Sequence, residues 1–528
     1  MHNGLFISML NYVKAALEGF TAINILLLCK GMSIKQFILK TLAKKINRGI
    51  EKDAGNAMAH QKKIMLYLVQ KSKNTQYGKL NNFENIHDYQ SFKNLIPVTN
   101  YETLFPFIQK TMNGESHVLW PKKPAYIAKT SGTSGDFKYI PISKEAMPFH
   151  IKAARNSLIK YIAKTNKATF LSGKMIFLQG SPILTEVNGI KTGRLSGIVA
   201  HYVPAYLQAN RLPTYDVNCI ADWNTKVDAI VNETYNKDMR LFGGIPSWLL
   251  HYMETLLSKT NKKTLIELFP HMQLLVIGGT GYEAFSQKFK TVIGKEMDVV
   301  EIYPATEGFI AYQDQHPSQG LLLNTNAGIF FEFIAMEDFS GSTKKRIWLH
   351  EVELDKNYVI VLNTNSGLFG YVIGDTVKFV SKDPYRIIVT GRVKEYLSAF
   401  GEQVYVHQTD SALKATLNEM NAIVNEYHVY PQIKNNTSNH VWIIEFEKEA
   451  VDLLAFEKLL DTYMHKQNIY YNDIVKTGVI SPLKIIPVKK NTFYKTMEKI
   501  GKAGEQNKIP RLSNNTTFAE KLLQQTTG

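Results

Sequence analysis

Between residues 174 and 308, short apolar runs alternate with helical stretches, and each run ends in a polar or glycine-rich turn. Met175 to Leu178 reads as one strand. Arg240 to Phe242 precedes Ile245-Pro246 and a helix through Trp248. Leu274 to Ile277 ends at Gly278-Gly279-Thr280-Gly281, and Val299 to Tyr303 ends at Pro304-Ala305-Thr306-Glu307-Gly308. This punctuation specifies an α/β sheet. Open α/β sheets hold ligands beyond the carboxyl ends of their strands, which is where these polar groups collect.

Upstream lies PAYIAKTSGTSGDFKYIPIS, residues Pro124 to Ser143. Apolar and polar residues alternate on both sides of Thr130-Ser131-Gly132-Thr133-Ser134-Gly135, so the spacing predicts a hairpin with this hexapeptide at its tip. The glycines free the backbone to turn N–H groups inward, the hydroxyls add donors, and Lys138 can bring a point charge to a bound phosphate. A Walker loop would read G-x-x-x-x-G-K-[ST] and run from a strand into a helix, and neither condition is met. Taken alone, the hexapeptide is either an anion nest or a surface turn. Ser143 can cap a following helix that places Met147, Ile151, Ala154, Leu158 and Ile162 on one face.

The first hundred residues read as helical, as in Ala57 to Ser72 with Ile64, Leu66, Tyr67, Leu68 and Val69. From Leu321 to Val389 the helical period gives way to short strands, which predicts a smaller β-rich subdomain. At Gly391-Arg392 the texture changes again: helices at Gln408 to Met420 and Ala450 to Lys466 alternate with strands at Ile423 to Val429 and Val441 to Glu447. The expected division is 1–391 and 392–528, with the β-rich part at 321–389.

A chain of 528 residues, 45% of them hydrophobic, can bury more than one core. The net charge of +16 comes from lysines spread along the chain without a block of five like charges, which argues for a solvated surface rather than a nucleic-acid site. Cys29 and Cys219 have no spacing that suggests a disulfide frame or zinc site, so a reducing, cytoplasmic location is expected. The apolar segment Leu5 to Met32 is interrupted by Lys14 and Glu18. It reads as an amphipathic helix, packed on its own domain or lying on a membrane surface, with no stable membrane insertion.

Two further motifs carry chemistry. Tyr303-Pro-Ala-Thr-Glu-Gly308 offers a ring for adenine, and a hydroxyl and carboxylate for phosphate and Mg²⁺, which takes one or two protein carboxylates beside phosphate oxygens. Gly367 to Phe379 places Asp375 after a glycine, in what reads as a sharp turn between strands, where it can accept bonds from ribose hydroxyls. Either motif alone is equally an ordinary turn.

In order, the hydroxyl-glycine loop, the Thr-Glu-Gly strand end, the Gly-Asp and the Gly-Arg boundary resemble the nucleotide motifs and hinge of the acyl-adenylate-forming superfamily. They resemble more closely the GH3 family, the auxin-responsive-promoter proteins of plants and their bacterial relatives. IPVTNYETLFPFIQ, VIGGTGY, TGRVKEYLSAFGEQV and the tail GKAGEQNKIPRL extend the resemblance over nearly the whole chain.

The resemblance implies a large N-terminal adenylate-forming α/β domain with mixed sheets, and a small, mobile α+β C-terminal domain. It also implies a two-step ligase. ATP and a carboxylic acid give an acyl-adenylate, and an amine, typically an amino acid, then takes the acyl group. By motif position, Thr130, Ser131, Gly132, Thr133, Ser134 and Lys138 would hold the phosphates. Gly279 and Tyr303 would line the adenine, Thr306 and Glu307 would serve the α-phosphate and Mg²⁺, Asp375 would hold the ribose, and Arg392 would sit at the hinge. Lys138, Thr306 and Glu307 would be the catalytic set.

Two departures stand out. Tyr371-Val372-Ile373 precedes the Gly-Asp where many members have Tyr-Arg, and Glu505 replaces a tail glycine. Lys502 and Lys508 are candidates for the superfamily's C-terminal lysine, or surface residues. Phe170, Tyr202, Tyr206, Trp223 and Phe242 can line an acyl pocket or serve the core. Transfer to coenzyme A or a carrier thiol is the alternative reaction, and a non-catalytic basic protein binding nucleic acid or an anionic membrane is the alternative of another class.

Overall fold

A computed structural model describes residues 34–131, 137–203, 208–279, 281–315, 319–339, 344–393, 396–397, 399–400, 402, 404–434, 437–450, 452–500 and 509–525. The segment Leu5 to Met32, the loop residues Gly132, Thr133 and Ser134, and the tail lysines Lys502 and Lys508 lie outside them.

The glycine loop joins β1 (Tyr126–Ser131) to β2 (Phe137–Ile142), an antiparallel pair in which Thr130 stands opposite Lys138. With β4 (Thr185–Val187) and β5 (Ile190–Arg194) they form a four-stranded sheet in the order β2-β1-β5-β4. The helix Met147–Thr165 follows the hairpin. Ser143 prepares its entry, its Oγ accepting the Ala146 N–H at 3.0 Å and donating to the Asn365 carbonyl at 2.7 Å.

A twelve-stranded sheet organises the rest of the N-terminal part. β3 (Lys174–Phe177), β6 (Arg211–Leu212), β7 (Met239–Gly244), β8 (Leu274–Gly278) and β9 (Asp298–Ala305) run parallel in the order β6-β3-β7-β8-β9. Their hydrophobic faces meet the helices Trp223–Thr234, Pro246–Thr260 and Ser286–Ile293 in a core that includes Phe242, Tyr252, Phe269 and Phe289. At Thr306-Glu307 the chain reverses in a two-residue hairpin, so β10 (Gly308–Gln313) is antiparallel to β9. The parallel half ends there.

The β-rich region does not make a separate sheet. β11 (Leu321–Leu323), β12 (Ile329–Ala335), β13 (Arg346–Trp348), β14 (Asn357–Thr364), β15 (Tyr371–Lys382) and β16 (Tyr385–Arg392) continue the same one, in the order β10-β11-β16-β15-β14-β12-β13. The three-residue β11 bridges the two halves, pairing with β10 on one side and β16 on the other. The helix Ala57–Ser72 packs on this half. Its Gln61 donates to the carbonyls of Thr325 and Ile329 at 2.8 and 2.9 Å and accepts the Phe331 N–H at 2.8 Å.

Beyond the short pair β17 (Tyr396–Leu397) and β18 (Val404–Tyr405), the C-terminal part has its own core. The helices Val406–Met420 and Leu453–Gln467 cover a sheet of β19 (Ile423–Lys434), β20 (Thr437–Lys448) and β21 (Lys484–Val488). Inside it, Arg511 makes a fork to Asp410 at 2.8 and 2.9 Å and reaches Glu426 at 3.2 Å. Several polar contacts among the described residues tie this unit to the larger one, among them the Tyr494 hydroxyl's bond to Asn224 at 3.2 Å and the contact of His407 Nδ1 with the Thr390 carbonyl at 3.3 Å. Lys288 Nζ donates to Asn425 at 2.6 Å, Lys414 pairs with Glu283, and the Arg511 guanidinium lies 5.1 Å from the Phe285 ring centre.

Candidate active site

The candidate site is made by the ends of β8 and β9, by Lys138 on β2 and by the paired residues Asp375 and Arg392 on β15 and β16. Gly279, which follows β8, has φ of 89°, a left-handed conformation that suits glycine, and a Cβ there would press on Ile245 at 3.2 Å. At the neighbouring strand, Tyr303 lies two residues before the end of β9, and Thr306 and Glu307 form the hairpin turn.

Asp375 is not in a turn between strands, as its glycine suggests. It lies inside the twelve-residue β15, opposite Arg392 on β16. Gly374 has φ of 92°, and the pairing of β15 with β14 slips between Val359 and Val361. A glycine-centred bulge therefore bends the strand without ending it, and re-aims the aspartate. Both carboxylate oxygens are engaged: the Tyr303 hydroxyl donates to Oδ2 at 2.6 Å, and Arg392 Nε donates to Oδ1 at 2.8 Å.

Electrostatics connects Glu307 to the same group. Desolvation raises its pKa above the ordinary glutamate value and the Asp375 carboxylate adds to this, while its own backbone N–H, Lys138 and Arg392 oppose it. Tyr371, buried at the start of β15, is within electrostatic reach of Glu307, and its own pKa is raised by burial first and by the Glu307 charge next. Tyr303 likewise titrates well above an ordinary tyrosine, through desolvation and then Asp375. Lys138 reaches in from β2, with Nζ 5.3 Å from the centre of the Tyr101 ring, whose hydroxyl accepts the Tyr139 N–H at 3.0 Å. Two carboxylates thus face a lysine and an arginine in a poorly solvated cleft. Such an arrangement can hold a polyphosphate with a divalent cation.

The structure therefore brings Lys138, Tyr303, Glu307, Asp375 and Arg392 together, with Thr306 in the turn and Thr130 across from Lys138. Of Ser131, only the backbone at the end of β1 is described. Tyr371 and Tyr101 lie in stretches the motifs include, but motif reading gives neither a role at the site, and only the tertiary contacts connect them to Glu307 and Lys138.

The acyl-pocket aromatics divide. Phe170 and Phe242 are fully buried in core clusters, and Trp223 leans on Trp248 with ring centres 4.6 Å apart. Tyr202 is exposed, its hydroxyl bonded to that of Tyr126 at 3.1 Å, and Tyr206 lies outside the described residues. No helix among the described residues is long and apolar enough to cross a membrane.

Comparison with known proteins agrees with this fold. Family models described as the GH3 family N-terminal, central and C-terminal domains match residues 46–214, 322–392 and 407–517. Jasmonoyl–L-amino acid synthetase JAR4 of Nicotiana attenuata is 22% identical over 546 residues, which cover 89% of this chain and 93% of that protein. Indole-3-acetic acid-amido synthetase GH3.3 of Arabidopsis thaliana is 21% identical over 554 residues, covering 90% and 92%. Among solved structures, AtGH3.15 acyl acid amido synthetase in complex with 2,4-DB superposes with a TM-score of 0.74 at 17% identity, over 91% of this chain and 96% of that one. All three family segments occur here in order around one site, and the chain belongs to the GH3 family.

Proposed function

We propose that this chain is an ATP-dependent acid-amido ligase that adenylates a carboxylic acid and passes the acyl group to an amine, an amino acid being the favoured acceptor. The observation that carries the reading is the convergence of Lys138, Glu307, Asp375 and Arg392. In the first step a carboxylate oxygen bonds to the α-phosphorus as the bond to pyrophosphate breaks. In the second, the amine nitrogen bonds to the acyl carbon, AMP leaves, and the nitrogen loses a proton. Neither step needs a protein nucleophile. Both need charge neutralisation and alignment of the reacting groups.

The allocation of roles follows from the contacts. Asp375, with one oxygen on Tyr303 and the other on Arg392, is pre-oriented to accept ribose hydroxyls through its remaining lone pairs. Glu307 is then the carboxylate for Mg²⁺. A single carboxylate beside a cationic Lys138 suits an ion held by one or two carboxylates and by phosphate oxygens. Bound there, Mg²⁺ would neutralise phosphate charge. Lys138, projecting from the hairpin, would address the phosphates beside Thr130, Ser131, Gly132, Thr133 and Ser134, and Gly279 would face the adenine with Tyr303.

We assign residues 1–391 to an adenylation domain, with the β-rich part at about 321–389. Residues 392–528 form the unit that turns about Arg392 between the half-reactions. The separate hydrophobic core of the C-terminal unit supports this division. A reducing, cytoplasmic setting fits two widely separated cysteines, of which Cys219 is a free thiol.

The test is a pyrophosphate-release assay with ATP and benzoate, phenylacetate, indole-3-acetate or octanoate, followed by mass spectrometry of products with amino acids and with coenzyme A in parallel. Acid-dependent release with an amide product is expected. Thioester as the sole product would replace the amide reading, and no release with any acid would overturn the ligase reading.

A further inference from the structure

We infer that Lys288 is a positioning residue of this enzyme, which seats the C-terminal unit in its present orientation through contacts that open without stranding a charge. This rests on the ligase reading above, in which that unit turns between the half-reactions, and names the group that holds it.

Lys288 lies on the helix Ser286–Ile293 of the larger unit, and its side chain is buried where the two units meet. Its partners come from both. Within the larger unit, Glu254 on the helix Pro246–Thr260 pairs with Nζ at 2.7 Å. From the C-terminal unit, Asn425 Oδ1 on β19 accepts from Nζ at 2.6 Å, and Glu447 on β20 stands 3.9 Å away. One cation therefore joins a carboxylate of one unit to an amide and a carboxylate of the other.

Further contacts surround it. His251 precedes Glu254 by three residues and so lies on the same side of their helix. Its ring stacks on that of Tyr494, from the helix Thr492–Lys499, with ring centres 6.0 Å apart, and the Tyr494 hydroxyl donates to Asn224 at 3.2 Å. Lys414 pairs with Glu283, and Arg511 lies over Phe285, both at the turn that leads into the Lys288 helix. Several separate contacts around one buried ammonium resist rotation as a single contact would not.

The pairing makes this seat releasable. Breaking a buried ion pair is costly when it leaves a charge buried and uncompensated. Here each member has a second partner in its own unit. Lys288 keeps Glu254, Glu447 keeps Lys490, Asn425 keeps Glu445 at 3.2 Å, and Arg511 keeps Asp410 and Glu426. When the C-terminal unit turns away, none of these charges is left without an opposite one, and water reaches Lys288. The seat holds one orientation as a discrete stop, and weakening it shifts the population of orientations, hence the balance between adenylation and acyl transfer.

The experiment uses the full chain with Lys288→Met, Lys288→Arg and, as a control, Lys290→Met, whose lysine is exposed and pairs with Glu296 inside the larger unit. Spin labels on Lys237→Cys and Lys458→Cys, exposed positions in the two units, report the distance between them in a Cys29→Ser, Cys219→Ser background without substrate. Parallel assays measure pyrophosphate exchange, amide formation from added acyl-adenylate, and Tm. Loss of a charge-assisted bond should raise the fraction at a second distance about 10-fold in Lys288→Met and change the ratio of the two half-reaction rates by a similar factor. Tm should stay as in the wild type, Lys288→Arg should recover most of the wild-type behaviour by keeping the charge, and Lys290→Met should match the wild type. An unchanged distance distribution in Lys288→Met overturns the assignment, and with a lowered Tm it makes the lysine merely structural. A shifted distribution with both rates moved by one factor overturns the role in the reaction. Wild-type enzyme inactive with every acid overturns the ligase reading, while the distances, which need no substrate, still decide whether Lys288 seats the unit.

Discussion

Replacing Tyr303 with phenylalanine separates two roles for one side chain. Motif reading gives the ring to adenine, a role phenylalanine would keep. The structure adds a hydroxyl bond to Asp375 at 2.6 Å, short and made to an ionisable acceptor. Bonds to charged groups contribute about 1.5–3 kcal/mol. Asp375 is only 13% exposed, so solvent replaces little of that loss, but Arg392 still holds its other oxygen at 2.8 Å. The lower end of the range therefore applies. If the hydroxyl orients the carboxylate that receives the ribose, Tyr303→Phe should weaken ATP binding about 10-fold, the equivalent of about 1.4 kcal/mol. Calorimetric Kd values for wild type, Tyr303→Phe, Asp375→Asn and the double variant close a thermodynamic cycle. The coupling energy should exceed about 0.5 kcal/mol, the level above which neighbouring residues are distinguishable from independent ones. Wild-type ATP affinity in Tyr303→Phe, with additive effects in the cycle, would refute the orienting role and leave only the ring.

Lys138→Ala should slow adenylation at least 10-fold by removing a phosphate-facing charge, without altering Tm. An unchanged rate in pyrophosphate release would reduce the lysine to a surface charge. Glu307→Gln should abolish adenylation while stabilising the fold near neutral pH. The Glu307 pKa is raised in the folded state, so its contribution to stability is complete below its unfolded pKa and is lost as pH rises through the folded one. The Tm advantage of the variant should therefore shrink on acidification toward pH 4, and an advantage that grows instead would contradict the assigned shift. At the opposite edge of the sheet, buried Arg346 pairs with Glu332 at 3.1 Å and donates to the Lys93 carbonyl at 2.7 Å, and Glu332 also accepts from Asn363 and Tyr89. Arg346→Met strands that carboxylate and should cost about 3–5 kcal/mol in urea unfolding, whereas a loss under about 1 kcal/mol would show the pair to be dispensable.

What was legible in the sequence was local. Alternation around Gly132 and Gly135 places the hairpin, and Thr306-Glu307 falls at a strand end because apolar β9 stops where the polar residues begin. Asp375 was misread in conformation. A glycine before it reads as a strand break, whereas Gly374 with φ of 92° lets β15 bulge and continue. The union of the parallel and antiparallel halves into one sheet depends on the three-residue β11, whose pairing with β16 spans more than sixty residues of sequence and leaves no periodic signal. Tyr371 enters the sequence reading only as a departure from the family pattern, for a related reason: the Glu307 charge that it senses is distant in the chain, and only folding brings the two together.

The central claim is that Glu307 stands at a site of acyl-adenylate formation. The most direct measurement is exchange of labelled pyrophosphate into ATP, with and without carboxylic acid, in wild-type enzyme and Glu307→Ala. Exchange that requires the acid in the wild type and falls at least 100-fold in the variant is the predicted result, the size expected for loss of a group acting on charge in the transition state. Full exchange in Glu307→Ala, or exchange in the wild type that ignores the acid, would contradict it.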